Sequence, residues 1–146
     1  MKTKILSVCH LGVLLSIICL VLAGCGSSSS DSAAPAPSTV TVVDCSTITS
    51  AATVTATSSN TFSPQNVTIA VNDVVRWISA SNIPHTVTSG IVTGGTMTTA
   101  TPDGKFNEPL NSNGSSVCLR FTAGGTYNYY CTYHYMSGMT GIITVQ

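Results

Sequence analysis

The sequence predicts an all-β protein, a sandwich or barrel of short strands, and three observations carry that expectation. Runs of a few residues alternate apolar and polar side chains in the two-residue period of a strand. Turn-forming residues separate these runs at short intervals. No segment holds a helical period over two turns. The abundance of Thr, Val, Ser and Gly agrees, since β-branched side chains suit a pleated, half-buried surface.

The elements can be read in order. Thr53 to Ala56 is a first run, and Asn66 to Val71 a second, with Val67, Ile69 and Val71 on one face. A tight Asn72-Asp73 turn leads into a strand from Val74 to Ser79. A short strand from His85 to Thr88 follows Pro84. The stretch from Gly90 to Gly114, rich in Gly, Thr, Pro and Asn, reads mostly as loop, with a short strand around Phe106. Ser115 to Phe121, Gly125 to Tyr130 and Gly141 to Val145 complete the set. Alternation turns Val117, Leu119 and Phe121 inward and Cys118 and Arg120 outward. It also puts Tyr127, Tyr129 and Cys131 on one face, and buries Ile143, Val145 and the only tryptophan, Trp77.

Of the 146 residues, the first 24 read as a signal peptide. Lys2 and Lys4 precede an apolar stretch from Leu11 to Leu22, which is short for a membrane span. The segment ends in Leu22-Ala23-Gly24-Cys25, which resembles the bacterial lipobox. That resemblance implies cleavage before Cys25 and lipid attachment to its sulfur. Residues 25–40, rich in Ser, Ala and Pro and with no hydrophobic period, read as a flexible tether. The folded domain is expected over 41–146, a length that suits one core rather than two. The protein is therefore expected to be exported and lipid-anchored to a bacterial membrane, on its periplasmic or cell-surface side.

Charge excludes several functions. Charged residues make up 7% of the chain and the formal net charge is zero. Beyond the signal peptide, Arg76, Lys105 and Arg120 face Asp31, Asp44, Asp73, Asp103 and Glu108. No basic cluster is present to hold a polyanion, so nucleic acid is not an expected partner.

The cysteines have separate fates. Cys9 and Cys19 leave with the signal peptide and Cys25 takes the lipid, so Cys45, Cys118 and Cys131 remain. An odd number in an exported domain suggests one disulfide and one functional thiol. Cys131 is followed by His134 and Met139, which makes it the functional one and leaves Cys45 to pair with Cys118. Because Cys118 faces outward, the N-terminal extension carrying Cys45 should lie over the outside of its sheet.

The chemistry concentrates in Tyr130-Cys131-Thr132-Tyr133-His134-Tyr135-Met136-Ser137-Gly138-Met139 and, upstream, in Ile83-Pro84-His85-Thr86. Two imidazoles and a thiolate with a weak axial thioether make a blue-copper site. Thiolate bonds copper covalently, imidazole accepts both oxidation states, and soft thioether favours Cu(I). Met136 competes with Met139 for the axial place. Zinc accepts the same donor types.

These residues resemble the plastocyanin and pseudoazurin branch of the cupredoxins. The match rests on Cys131, His134 and Met139 as Cys-x2-His-x4-Met, on Gly125-Thr126-Tyr127-Asn128-Tyr129-Tyr130 before them, and on Gly141-Ile142-Ile143-Thr144-Val145 after them. Upstream, Phe62-Ser63-Pro64, Val71, Asp73, Trp77 and His85 extend it. The resemblance implies an eight-stranded Greek-key sandwich with one type 1 copper at one end, held by His85, Cys131, His134 and Met139. Thr86 stands where the family usually has Asn, although its backbone N–H could still reach the Cys131 sulfur. Tyr133 replaces a typical Pro.

A one-electron carrier is the leading function, serving redox proteins such as cytochromes or copper oxidoreductases, as a monomer. The alternative is a protein for copper storage or delivery, which usually shows exposed Met- or His-rich tracts. An enzyme is not expected: with His10 lost, His85 and His134 are the remaining imidazoles, and no second copper site can form from them.

Overall fold

The computed structural model describes residues 38–94 and 98–146. The expected signal peptide, Cys25 and the expected tether up to residue 37 lie outside them. Among the described residues no helix is long and apolar enough to cross a membrane.

The fold is the expected all-β sandwich of two sheets. One sheet orders its strands β1(Val40–Val43), β8(Ser116–Phe121), β5(Val74–Ser79), β2(Ala52–Ala56) and β3(Phe62–Ser63). The other orders β4(Asn66–Ile69), β10(Thr140–Val145), β9(Gly125–Tyr130), β6(His85–Thr93) and β7(Thr99–Leu110). Strands β1 and β3 are additions to the eight expected. The β2–β5 and β4–β10 pairs are parallel and the rest antiparallel.

Inward residues from both sheets make one core. Val54, Val75, Trp77, Leu119 and Phe121 come from one side, and Val87, Leu110, Tyr129 and Ile143 from the other, all buried. Trp77 meets Tyr129 edge-on at 5.4 Å between ring centroids, and Phe121 meets Tyr127 at 5.0 Å. Such edge-to-face pairs add about 0.5–1.5 kcal/mol each beyond the area they bury. Tyr127 also donates its hydroxyl to the Ala123 carbonyl at 2.9 Å, fixing the turn that starts β9.

The region from Gly90 to Gly114 departs from the expected loop. Strand β6 continues to Thr93 and pairs with β7 in a long hairpin. Pro102 and Pro109 are tolerated because β7 is the edge of its sheet and needs no donors on its open side. Gly90 serves close approach instead of looseness: a Cβ there, where φ is +141°, would run into the Thr101 carbonyl. A bulge falls between Thr88 and Gly90. There the Ser89 hydroxyl accepts from the Phe106 N–H at 2.9 Å and donates to the Phe106 carbonyl at 3.1 Å, in place of the missing ladder bonds.

Two smaller expectations also change. The Asn72-Asp73 turn exists, with Asn72 at φ 74° and the Asp73 carboxylate accepting from the Ala70 N–H. It carries the chain from one sheet to the other, so the strands on either side of it do not pair. Strand β4 accordingly stops at Ile69, and Val71 is exposed.

Cys45 and Cys118 are joined in a disulfide, with Cα atoms 5.4 Å apart, and Cys131 is free and buried. The extension reaches Cys118 by adding β1 to the sheet edge, where Val43 lies opposite Cys118. Outward-facing Cys118 is buried beneath it.

Candidate metal centre

One end of the sandwich collects the ends of β5 and β9 and the starts of β6 and β10. His85 opens β6, and its ring is fully buried. Cys131 follows β9 directly. It continues the inward alternation of Tyr127 and Tyr129, and is likewise fully buried. His134 comes next in a loop that ends at β10.

That loop is held by its own backbone. The Cys131 carbonyl accepts from the N–H groups of His134 and Tyr135 at 3.2 and 2.9 Å. The Cys131 N–H donates to the Met139 carbonyl at 3.0 Å, and the Met139 N–H donates to the His134 carbonyl at 3.2 Å. Between them Tyr135–Ser137 forms a 3-10 turn, closed by Gly138 at φ 84°. Only glycine enters that left-handed region without strain. The turn throws Met136 outward, 73% exposed, and returns Met139 to the interior, 0% exposed. Of the two methionines, Met139 alone lies buried with His85 and Cys131.

Ligand-type atoms of His85, Cys131 and His134 all lie within 4.8 Å of one another. The Cys131 sulfur is 3.4 Å from His134 Nδ1 and 3.9 Å from His85 Nδ1. The Thr86 N–H points at the same sulfur from 3.4 Å. Burial, reinforced by the nearby His134 ring and opposed by the Thr57 backbone, holds His85 below its ordinary value of 6.5. The ring is therefore neutral near pH 7 and can offer a lone pair. Its far nitrogen, Nε2, sits 3.3 Å from the buried Ser81 hydroxyl. A proton on Nε2 leaves Nδ1 free toward the sulfur, the second partner a metal-binding imidazole usually has.

A hydroxyl cluster ties the two ligand segments together. Thr132 donates its N–H to Thr86 Oγ1 at 2.9 Å, and their hydroxyls lie 3.1 Å apart. The Thr86 hydroxyl is also 2.9 Å from that of Thr88.

All four residues singled out in the sequence thus converge on one end of the fold. Sequence reasoning missed Ser81, Thr88 and Thr132. Serine and threonine carry no spacing signal, and only the fold brings these hydroxyls to the site. The donor set is two imidazoles, a thiol close to both and a buried thioether nearby. Those soft and borderline donors fit a single copper ion.

Comparison with known proteins agrees with this chemistry. The family model described as copper binding proteins, plastocyanin/azurin family, matches residues 48–146. Plastocyanin of Scenedesmus fuscus is 34% identical over 87 residues, which is 58% of this chain and 86% of that protein. Plastocyanin of Ulva prolifera is 32% identical over 90 residues, 60% of this chain and 89% of that protein. Two solved amicyanin variants, one a reduced Cu(I) form at pH 4, superpose with TM-scores of 0.54 and 0.55 at 22% identity. Each covers 74% of this chain and 99% of its own, a likeness of fold alone. With its copper-type donor set and a family match running from Ile48 to the last residue, this chain belongs to the plastocyanin/azurin family of copper-binding proteins.

Proposed function

We propose that this protein is a blue-copper electron carrier whose single ion is held by His85, Cys131, His134 and Met139. The observation that carries the reading is the meeting of His85, Cys131 and His134 ligand atoms within 4.8 Å, beside the only buried methionine described. Bound there, copper supplies one-electron chemistry between Cu(I) and Cu(II).

The chain supplies a fixed frame. The Thr86 N–H donates to the Cys131 sulfur and fixes where that donor sits. The backbone bonds linking Cys131, His134 and Met139 keep the donors in one arrangement as charge changes, so little has to reorganise. Burial of His85, Cys131 and Met139 excludes water. His134 is only partly buried, and its edge is the exit for the electron. Around it stand exposed Ile83, Pro84, Tyr133 and Met136, an apolar docking face for partners such as cytochromes or copper oxidoreductases. The reading is of a carrier: His85 and His134, the two imidazoles after His10, both go to this one site and leave none for a second copper.

Loading the purified protein with Cu(II) tests this. An intense visible thiolate-to-copper band, lost in Cys131→Ser, is expected. Colourless one-to-one binding would show that the site is not blue copper.

We further propose that Cys25 carries a lipid that holds the exported protein at a bacterial membrane through the Ser-, Ala- and Pro-rich tether that precedes β1. The support is the Leu22-Ala23-Gly24-Cys25 signal after a charged and apolar leader. Cys25→Ala should leave the protein unprocessed and without lipid. Normal processing of that variant would remove the anchor reading.

A further inference from the structure

We propose that Thr88 and Asn107 are positioning residues for the copper site, acting through a directed chain of hydroxyl groups that ends on the Asn107 amide oxygen. This rests on the ligand assignment proposed above.

The direction follows from counting protons. The Thr88 hydroxyl donates to Asn107 Oδ1 at 2.7 Å. A hydroxyl has one proton, so toward Thr86, 2.9 Å away, Thr88 can only accept. The Thr86 hydroxyl therefore donates to Thr88. With its proton committed, Thr86 Oγ1 accepts from Thr132 twice, from the N–H at 2.9 Å and from the hydroxyl at 3.1 Å. Every proton in the chain points from the cysteine loop toward β7.

The fold explains why these residues meet. Thr86 and Thr88 are two apart on β6 and share a face. Asn107 lies directly opposite Thr88 in the β6–β7 register, and Tyr130, next to Cys131, lies opposite Thr88 on the β9 side. Three segments are thus tied at one point: the strand of His85, the loop of Cys131 and the edge strand. The Thr86 and Thr88 hydroxyls are buried, where an unpaired hydroxyl costs on the order of 1–3 kcal/mol. The terminal acceptor on Asn107 therefore sets the orientation of the whole chain. The chain holds the Thr86 backbone, whose N–H meets the Cys131 sulfur, and the Thr132 amide that follows that cysteine.

Without the Asn107 oxygen, Thr88 turns its proton to Thr86. Thr86 must then turn its own toward Thr132, and the double acceptance at Thr86 is lost. Asn107 is exposed, so its replacement leaves the core untouched.

The test uses the full copper-loaded protein and compares Asn107→Leu, which removes the acceptor, with Asn107→Asp, which keeps one. Three quantities are read: the energy of the thiolate-to-copper band, the rate of copper loss to a chelator, and the melting temperature of the apoprotein. Asn107→Leu should move the band and speed copper loss on the order of tenfold, with apoprotein melting unchanged. Asn107→Asp should release copper at the wild-type rate. Thr88→Val should behave like the leucine variant and Thr88→Ser like wild type. If Thr88→Val does not fold, the exposed Asn107 pair decides alone. An unmoved band and release rate in Asn107→Leu would overturn the proposal. So would an aspartate variant as disturbed as the leucine one, or a fall in apoprotein melting that accounts for the faster release. A wild-type protein with no such band would instead overturn the ligand assignment, and this inference with it.

Discussion

The Cys131 amide and the Met139 carbonyl are joined by a 3.0 Å hydrogen bond, so the loop that carries three of the proposed ligands is closed backbone to backbone. The chain between them has no freedom to choose which methionine turns inward. The 3-10 turn Tyr135–Ser137 and left-handed Gly138 fix Met136 outside and Met139 inside.

The first prediction concerns that choice. Met139→Gln exchanges a soft thioether for a harder amide, which favours Cu(II), so the reduction potential should fall. Met136→Leu should leave the potential close to wild type. Voltammetry of the two variants decides, and a shift confined to the Met136 variant would make Met136 the axial ligand.

Ser81 offers a second test. Its hydroxyl faces His85 Nε2 at 3.3 Å and also accepts from the Ile83 N–H at 3.2 Å, so it sets both the ring and the loop that delivers it. Ser81→Ala should weaken copper binding by roughly 10–100-fold, the usual cost of removing the partner of a ligating imidazole. Competition with a chelator of known affinity measures it. Unchanged affinity would mean that packing alone orients His85.

The third prediction concerns the disulfide, which closes a sequence separation of 73 residues. The chain-entropy estimate for a loop of that size is about 4 kcal/mol. The double variant Cys45→Ala, Cys118→Ala should lose about that much unfolding free energy in denaturant. Its copper band should persist, since the bridge joins β8 to the segment after β1, in the sheet opposite Cys131. A bridge involving Cys131 in peptide mapping would contradict the site as well as this prediction.

These relationships were not equally legible in the sequence. Tyr127, Tyr129 and Cys131 could be placed on one face because strand alternation is strict and the next strand buries what it should. The pairing of Cys45 with Cys118 is legible because the cysteine number is odd and His134 and Met139 beside Cys131 mark it as the unpaired one. The β6–β7 hairpin was not legible. Pro102, Gly104 and Pro109 read as loop, because the sequence does not say which strand is an edge, where missing donors cost little. Asn107 was hidden for the same reason. Its place opposite Thr88 exists only once β7 is a strand, and one asparagine in a Gly- and Pro-rich stretch carries no periodic signal. Ser81 and Thr132 likewise become site residues only when the sandwich brings their loops together.

A fourth prediction concerns alkaline stability. Burial pushes the Tyr129 hydroxyl well above its ordinary value of 10.0, and burial with smaller contributions from Tyr135 and Asp103 raises Tyr130. In the folded protein these hydroxyls keep their protons at a pH where the unfolded chain has lost them. Their contribution is therefore complete below pH 10.0 and is lost as pH rises beyond it. Denaturant midpoints of the apoprotein should fall steadily above that pH. Tyr129→Phe should flatten the fall while costing about 1 kcal/mol near neutrality for its bond to the Gln65 carbonyl. An equally steep fall in the phenylalanine variant would place the sensitivity elsewhere.

The final prediction concerns docking. His134 reaches the surface among Ile83, Pro84, Tyr133 and Met136, and Tyr133 is 62% exposed. Exposing such side chains at one end of a small domain is unfavourable unless another surface covers them in use. The described charges do not compete with this patch. Lys105 is paired with Asp103, and the remaining acids, Asp44, Asp73 and Glu108, sit on separate segments. Electrostatic steering needs a concentrated field, and its rate falls steeply as salt shortens the Debye length to about 10 Å at 0.1 M. Without such a field, association should be weak, transient and only mildly dependent on salt. Pro84→Glu and Met136→Lys each bring a charge into the contact that must be desolvated, so each should slow electron transfer to an isolated physiological partner. The thiolate-to-copper band should stay in place in both, because neither side chain reaches the buried donors. Stopped-flow transfer across a range of ionic strengths reads both effects at once. A steep loss of rate with salt, or rates unmoved by either substitution, would mean that partners dock on another face.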